Sequence, residues 1–520
     1  MNNNLLIFYI IGVTSVLISA VGAYRMGPRA HLRYVRRVCL GLIVLSGYLF
    51  LAQYFKYQSL HVFVDFTHWM QLVYQITQTG LPLSPNSEFL SPGTLNYFSV
   101  HFVPLIYVVA ALFKLISRPE TVMVFNVVVM ISSALPLYKL ARRMNHTHAF
   151  AVCMAALLLW YPTFQYITLY EFEMLRFSIP VLLWMLYFFE TRRSAPYVFF
   201  VLLAVLVREE VGLTVGMFGV YAWFHQKRRF DGMMALILGF GGFVLITSAL
   251  MPALRGGEYI HVAGGAFSQF GNSPAEILWS AISHPFVTIK AMLEITKIAN
   301  VFMLGLPLLF IPLAAPSVLV TAVNIGVGLL SDVPFYISYM LYYIAPSVPF
   351  IFYALLKAWP KIEARFHSYG ATNALVAAVV MSNIVFGPSP LSLQFWFKQI
   401  RPAPFRTEDF HWSVYRVTNH HRAIDDVATL IPDSAIVSAP QFLHPRLFKK
   451  RGILVFPALQ SKDGKWQAQY VLLDTSNNGL KSESPAFVQP AAMAVVRGEG
   501  KWDLVKNHDA YELYRRVSDL

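Results

Sequence analysis

Apolar runs of membrane-spanning character recur along this chain, and the gaps between them alternate between basic clusters and stretches without them. The runs cover 5–24, 38–55, 121–140, 148–169, 177–190, 195–207, 211–225, 232–252, 299–314, 317–330, 337–356 and 371–388. A bilayer-crossing helix needs about 20 apolar residues. Five basic clusters fall in alternate gaps. These are Arg25, Arg29, Arg33, Arg36 and Arg37; Lys139, Arg142 and Arg143; Arg192 and Arg193; Lys227, Arg228 and Arg229; and Lys357, Lys361 and Arg365. Twelve spans with the N-terminus outside put every cluster in the cytoplasm, as the positive-inside rule requires. The stretch 57–113 then lies outside, and it contains no Lys or Arg. One missed or invented span would invert everything after it, so the agreement tests the parity.

Composition points the same way. The 520 residues are 56% hydrophobic and 13% charged, where a soluble protein carries roughly 25% charged residues. The net charge of +14 sits in short loops, which is topology and not a nucleic-acid face. Cys39 and Cys153 both fall inside apolar runs, as packing residues do, with no sign of a disulfide or metal site. The first run has no basic residues before it and a basic cluster after it, so it reads as a retained span and not a signal peptide.

Some segments are irregular. Residues 102–117 are too short for a span and read as a helix at or dipping into the outer interface. The pair 195–207 and 211–225 is short, with Arg208, Glu209 and Glu210 at its apex. Polar backbone at such depth is tolerated only against protein or a watery cavity, so a cavity is expected there. After Asp65, residues Phe66, Trp69, Met70 and Val73 form one helical stripe. This helix and the loop 253–298 are expected to lie flat on the membrane surface. From about 390 the charges return, with β-like runs at 435–438, 453–456, 470–474 and 493–496 and a helical face of Ile424, Val427 and Ile431. The expected fold is mainly α: a polytopic domain over 1–389, with outer loops 56–120 and 253–298. A small extracytoplasmic α/β domain follows over 390–520.

Carboxylates beside a bilayer core are costly and mark proton, ion or substrate sites. Three groups share the outer side by this topology: Asp65, the pair Glu171 and Glu173, and the pair Glu209 and Glu210. Asp65 is placed to take a proton from an acceptor hydroxyl, and is equally placed as a helix N-cap; the two roles are compatible. Glu171 and Glu173 form a second acidic site or a local pair with Arg176. Arg176 and Arg208 have the planar fork that suits a phosphate. His101 and His261 share the outer side and join Glu209 and Glu210 as candidate cavity residues. No histidine pair has convincing metal-ligand spacing, and the metal requirement is open, a divalent ion being possible. No Walker loop, dinucleotide fingerprint or nucleophile elbow is present, so ATP-driven transport and hydride transfer lack support.

Several strings carry a resemblance. They are Ala134-Leu-Pro-Leu-Tyr-Lys-Leu-Ala-Arg142, Tyr161-Pro, Glu171-Phe-Glu173 and Val207-Arg-Glu-Glu-Val-Gly-Leu. Later come Asn272-Ser-Pro-Ala-Glu-Ile, His284-Pro, Pro307-Leu-Leu-Phe-Ile-Pro312, Ala315-Pro316, Asn324, Ile431-Pro-Asp-Ser-Ala and Tyr470-Val-Leu-Leu-Asp474. In order and spacing the chain resembles the prokaryotic membrane family called domain of unknown function 2079, over roughly 50–480. That family looks like a branch of the GT-C glycosyltransferases. The resemblance implies a GT-C-like fold and a catalytic acid in the first large outer loop, the position of Asp65. It implies an assisting acid in the next outer loop, the position of Glu171 or Glu173. It also implies a polyprenyl-phosphate-linked sugar donor, with the enzyme in the inner membrane of the cell envelope and an acceptor on the extracytoplasmic side. The family often shows Asp-Phe-His where this chain has Glu171-Phe-Glu173. The rival readings are a lipid or solute transporter using the same buried acids, and a non-catalytic assembly partner with the same fold.

Overall fold

Among the described residues, six helical segments are long and apolar enough to cross a bilayer: Leu6–Tyr24, Tyr34–Gln58, Pro119–Arg143, Arg229–Arg255, Pro334–Arg365 and Ser368–Phe386. Two bent pairs, His148–Trp160 with Pro162–Leu169 and Pro285–Met292 with Ile295–Leu308, raise the number to eight if each is one span. The computed structural model describes residues 3–62, 64–83, 96–255, 266–271, 273–400, 410–461, 466–476, 496–498 and 501–517. The chain is thus a mainly helical, multi-pass membrane protein with six to eight candidate spans, against the twelve expected. The difference falls where the apolar runs are short. Ser194–Val205 has 12 residues, which rise about 18 Å against a hydrocarbon core of about 30 Å.

The spans sort into centre and rim. Over an 18-residue apolar stretch of each, 94% of the residues of Pro334–Arg365 are buried, against 22% in Leu6–Tyr24 and in Arg229–Arg255, which leave apolar faces outward. The central pair breaks at Pro162, which opens the second helix and bends the path by 50°. A proline cannot supply the N–H that a continuous helix would need there. Around the centre, backbone that is not α-helical runs from Leu306 to Ser347 in short 3-10 turns with one α-helix, Ala322–Leu330. Such backbone survives at membrane depth only against protein or a cavity.

One helix pair approaches unusually closely. Glycines 212, 216 and 219 of one helix face Gly232 and Gly239 of the next. A Cβ on Gly239 would stand 2.4 Å from the backbone nitrogen of Gly216. Small residues at four-residue spacing permit this contact between membrane helices.

The two surface-helix expectations part company. The helix Val64–Thr79 buries Phe66, Trp69, Met70 and Val73 as one stripe, but Thr67, His68, Gln71 and Leu72 are buried too. It packs inside the protein, with the Trp69 ring 5.8 Å from Phe172 and 5.1 Å from Tyr97. A single apolar stripe cannot reveal that the opposite face will also find partners. The helices Pro274–Ser283 and Pro285–Met292 do expose apolar side chains, among them Trp279, Ile282 and Phe286.

Towards the C-terminus a five-stranded sheet forms from β1 (Ile436–Ala439), β2 (Gly452–Val455), β3 (Tyr470–Asp474), β4 (Trp502–His508) and β5 (Tyr511–Arg516), in the order β2-β1-β3-β5-β4. β1 pairs parallel with β2 and β3, and β5 pairs antiparallel with β3 and β4. The helix Asn419–Ala428 starts on a Thr418–His421 capping box, and Ile424, Val427 and Ile431 bury themselves against the sheet residues. Of the expected 493–496 run, all but Val496 lies outside the described residues, and Val496 is helical.

Candidate functional site

The site grows from the end of the broken central helix. Pro162–Leu169 ends with carbonyls that have no helical partner, and four side chains meet them, one of them Asn126, whose Nδ2 donates to Thr168 O at 3.3 Å. Gln53 Nε2 donates to Thr168 O at 2.6 Å and Tyr170 O at 2.9 Å, and Lys56 Nζ donates to Leu169 O at 2.9 Å. Arg176 donates to Thr168 O and Tyr170 O, each at 3.3 Å, and to Glu171 O. Positive charge at a helix C-terminus is favourable. Arg176 is fully buried in this duty and is not among the residues lining the cavity described below.

The loop so fixed presents Tyr170, Glu171 and Glu173. Tyr170 donates its hydroxyl to Asp65 Oδ2 at 2.7 Å. Glu171 Oε2 accepts the N–H of Phe66 at 2.9 Å, so the helix carrying Asp65 is capped by a carboxylate 105 residues further on. Asp65 is therefore left to Tyr170 and to the field of Arg208. Glu173 turns to Arg208, whose Nη1 lies 3.1 Å from Glu173 Oε1, while Arg208 Nε lies 3.0 Å from Glu210 Oε1. The guanidinium also stands 5.9 Å from the ring centres of Tyr342 and Tyr343.

Glu209 holds the far end of the cluster. Its Oε1 is 2.8 Å from His101 Nδ1 and its Oε2 accepts Phe102 N–H at 2.9 Å, so one buried carboxylate ties the 101–102 turn to the 208–210 apex. Three polar groups result: Asp65 with Tyr170, the Glu173–Arg208–Glu210 triad whose arginine field reaches Asp65, and Glu209 with His101.

Burial raises the Asp65 carboxyl above the ordinary carboxylate range, partly offset by the Tyr170 hydroxyl and Arg208. Burial likewise raises Glu173, with Arg208 opposing and Asp65 adding to the rise. Glu210 is pushed up to about 7 by burial, against the pull of Arg208 and with a further push from Glu209. Burial, and then Arg208, hold the His101 imidazole well below its usual range. A buried carboxylate with a raised pKa is a stronger base than a solvated one.

A cavity of about 370 Å³ opens beside Arg208. Its polar end is His101, Arg208, Glu209 and Glu210; its walls include Leu213, Phe243, Phe267, Ile277, Leu278, Val323 and Val327. Asn324, which also lines it, is held by Ser347 Oγ at 2.8 Å and donates to Tyr343 O at 3.2 Å. Three of the four expected cavity residues are thus together, with Arg208 beside them. Asp65, Glu171 and Glu173 stand behind Arg208 and are not among the residues lining this cavity. His261 lies outside the described residues. Tyr170, Tyr342, Tyr343 and the glycine contact were not read from the sequence. The spacing of Gly212 and Gly216, four apart in an apolar run, was the signal for the last.

At the opposite end of the helix Ser178–Glu190, groups from other loops converge. Glu190 Oε1 meets Lys357 Nζ at 2.7 Å, Arg143 Nε donates to Glu190 O at 3.2 Å, and Arg228 donates to Phe189 O. Basic residues from three expected cytoplasmic clusters therefore meet one another, a helix length away from the acids.

An apolar, multi-pass helical body carrying a buried acid–arginine cluster beside an amphipathic cavity defines a polytopic membrane protein with an internal polar site. Over residues 56–513 the chain matches the family described as predicted membrane protein, domain of unknown function 2079, and it belongs to that family. No curated protein matches it.

Proposed function

We propose that this chain is a GT-C-like glycosyltransferase of about twelve spans in the inner (plasma) membrane. It moves a sugar from a polyprenyl-phosphate donor to an extracytoplasmic acceptor. Residues 390–520 form an extracytoplasmic domain over the site. The observation that carries the reading is the cavity: apolar walls end at Arg208, the shape and polarity an amphiphile with an anionic head requires.

In this reading the lipid tail lies along Phe243, Ile277 and Val327, and the phosphate faces Arg208. The acceptor hydroxyl attacks the sugar's anomeric carbon as its bond to the phosphate oxygen breaks. The acceptor meets Arg208 from the side of Asp65, which does not line the lipid cavity; its hydroxyl proton passes to Asp65, and the lipid phosphate departs with its charge met by Arg208. Tyr170 holds Asp65 in place through its 2.7 Å hydrogen bond. Glu173 balances Arg208 at 3.1 Å and sets the direction of its fork. Cytoplasmic nucleotide sugars do not reach the outer face, so a membrane-borne donor fits the location.

The test is chemical. The full chain is purified in mild detergent, its bound lipid is identified by mass spectrometry, and its membranes are incubated with polyprenyl-phosphate sugars. The expected result is a copurifying polyprenyl phosphate and release of sugar from it. A bound lipid that never loses its sugar supports the assembly-partner or transporter reading instead. Absence of both lipid and transfer overturns the proposal.

A further inference from the structure

His101, Glu209 and Glu210 meet at the polar end of the cavity although 108 residues separate the histidine from Glu209. One donor atom from each side chain can be chosen so that all lie within 4.8 Å of one another. His101 Nδ1 is 2.8 Å from Glu209 Oε1. An N–H···O hydrogen bond gives that separation, and so do two adjacent ligands held about 2.0–2.2 Å from one ion. Ligands on opposite sides of such an ion stand about 4 Å apart, so a small side-chain rotation closes the set.

Two further observations point to a ligand. The outer oxygen of Glu209 is fixed by Phe102 N–H at 2.9 Å, the kind of second hydrogen bond that orients a ligating carboxylate. Glu210 Oε2 is buried and has no hydrogen-bond partner among the described residues. Leaving a buried charged oxygen unpaired costs free energy, which a cation beside it removes. Charge supports this, since Arg208 is the single guanidinium shared between Glu173 and Glu210.

We propose that His101, Glu209 and Glu210 bind a divalent transition-metal cation at the polar end of the cavity. One imidazole nitrogen with two carboxylates suits Mn²⁺ or Zn²⁺ better than Ca²⁺ or Mg²⁺, which favour all-oxygen shells. The ion replaces the proton between His101 Nδ1 and Glu209 Oε1, and Glu210 turns its free oxygen inward. Three protein ligands leave further positions open towards the cavity, where an anionic group can complete the shell. The inference stands on these three side chains and does not depend on the transferase reading.

The experiment uses the full chain in detergent, stripped with a chelator and titrated with Mn²⁺ by electron paramagnetic resonance, with Zn²⁺ as competitor. The expected result is a single tightly held ion per chain, displaced by Zn²⁺, with imidazole-nitrogen coupling in the spin-echo spectrum. His101→Ala abolishes that coupling and weakens binding about tenfold or more. Glu210→Gln, a near-isosteric second variant should His101→Ala fold poorly, weakens it likewise. Asp65→Asn and Glu173→Gln bind Mn²⁺ as the parent does. Failure of the parent to hold either metal stoichiometrically overturns the proposal. So does an ion held at full strength by Glu210→Gln but lost from Asp65→Asn or Glu173→Gln, which places it among the other acids. Sugar transfer is not part of the readout, so failure here and failure of the transferase reading are distinguishable.

Discussion

Arg176 and Arg208 occupy similar sequence settings, each within five residues of two glutamates at the edge of an apolar helix, yet they do different work. Arg176 follows a helix C-terminus whose carbonyls need donors, and its guanidinium goes to Thr168 O, Tyr170 O and Glu171 O. Arg208 precedes a helix whose first N–H groups already use the carbonyls of residues 208–210. Its guanidinium turns to Glu173, Glu210 and two tyrosine rings instead. The polarity of the neighbouring helix end decides whether an arginine stiffens backbone or faces a cavity.

The sharpest way to break this contrast is Arg176→Met. It removes the Arg176 donor from Glu171 O, at about 1–3 kcal/mol, while Gln53 still serves Thr168 O and Tyr170 O. The variant should therefore melt below the parent in detergent. Arg208→Met strands the buried Glu173 and Glu210, so it should also melt below the parent, and it alone of the two should lose any bound lipid phosphate. Equal lipid retention by the two variants would erase the distinction.

Asp65→Asn comes next. Because Glu171 supplies the cap on the Asp65 helix, the variant should fold, insert and bind lipid normally. Transfer should fall about a hundredfold or more, since a general base is typically worth 10²–10⁴ in rate. Near-normal transfer would move the base to Glu173. With the Asp65 carboxyl raised by burial, the base is inactivated by protonation as pH falls through that raised value. The acidic limb of the rate profile should therefore lie above that of an ordinary aspartate, and Asp65→Asn should remove it.

Gly239→Ala probes what supports the Arg208 apex. A methyl 2.4 Å from Gly216 N forces the helices apart, at about 1–3 kcal/mol for overpacking. It should lower the melting temperature and weaken lipid retention, while Gly241→Ala, where nothing lies within 4 Å, should leave both unchanged.

The smallest effect lies far from both arginines. His420 Nε2 is 2.9 Å from Asp474 Oδ2, and Nδ1 is 2.7 Å from Asp509 O. Burial lowers its pKa, but the Asp474 and Asp509 contacts outweigh burial and leave it raised above 6.5. A raised histidine stabilises fully below the unfolded value and loses that contribution as pH rises through the folded one. Protease resistance of the sheet region should decline modestly from pH 6 to 8, and His420→Gln should flatten that dependence. An unchanged slope in the variant would assign the effect to another group.

Much of this was legible in the chain. Apolar length and basic clusters mark the long spans, and short, largely apolar β-like runs mark β1 to β3. The Arg208-Glu209-Glu210 apex, flanked by helices too short to cross, marks the cavity. Other features were hidden for physical reasons. β4 is mostly exposed and carries Asp503, Lys506 and His508, so it lacks the apolar alternation that reveals a buried strand. The cap of the Asp65 helix comes from Glu171, and no local rule sees a partner 105 residues away. Whether Arg176 meets phosphate or backbone depends on which carbonyls lie near it, and the pattern of charges does not record that.

The helix Pro274–Ser283 lines the cavity with Ile277, Leu278 and Ala281 while Trp279 and Ile282 on the same helix face outward. One wall of the pocket is therefore also part of an exposed apolar surface, which in the transferase reading faces acyl chains. A hydrophobic ligand entering past that wall diffuses in two dimensions, and what saturates the pocket is its mole fraction among the lipids. Adding inert phospholipid at constant ligand per millilitre would then weaken apparent binding, a surface-dilution behaviour that a pocket filled from water does not show.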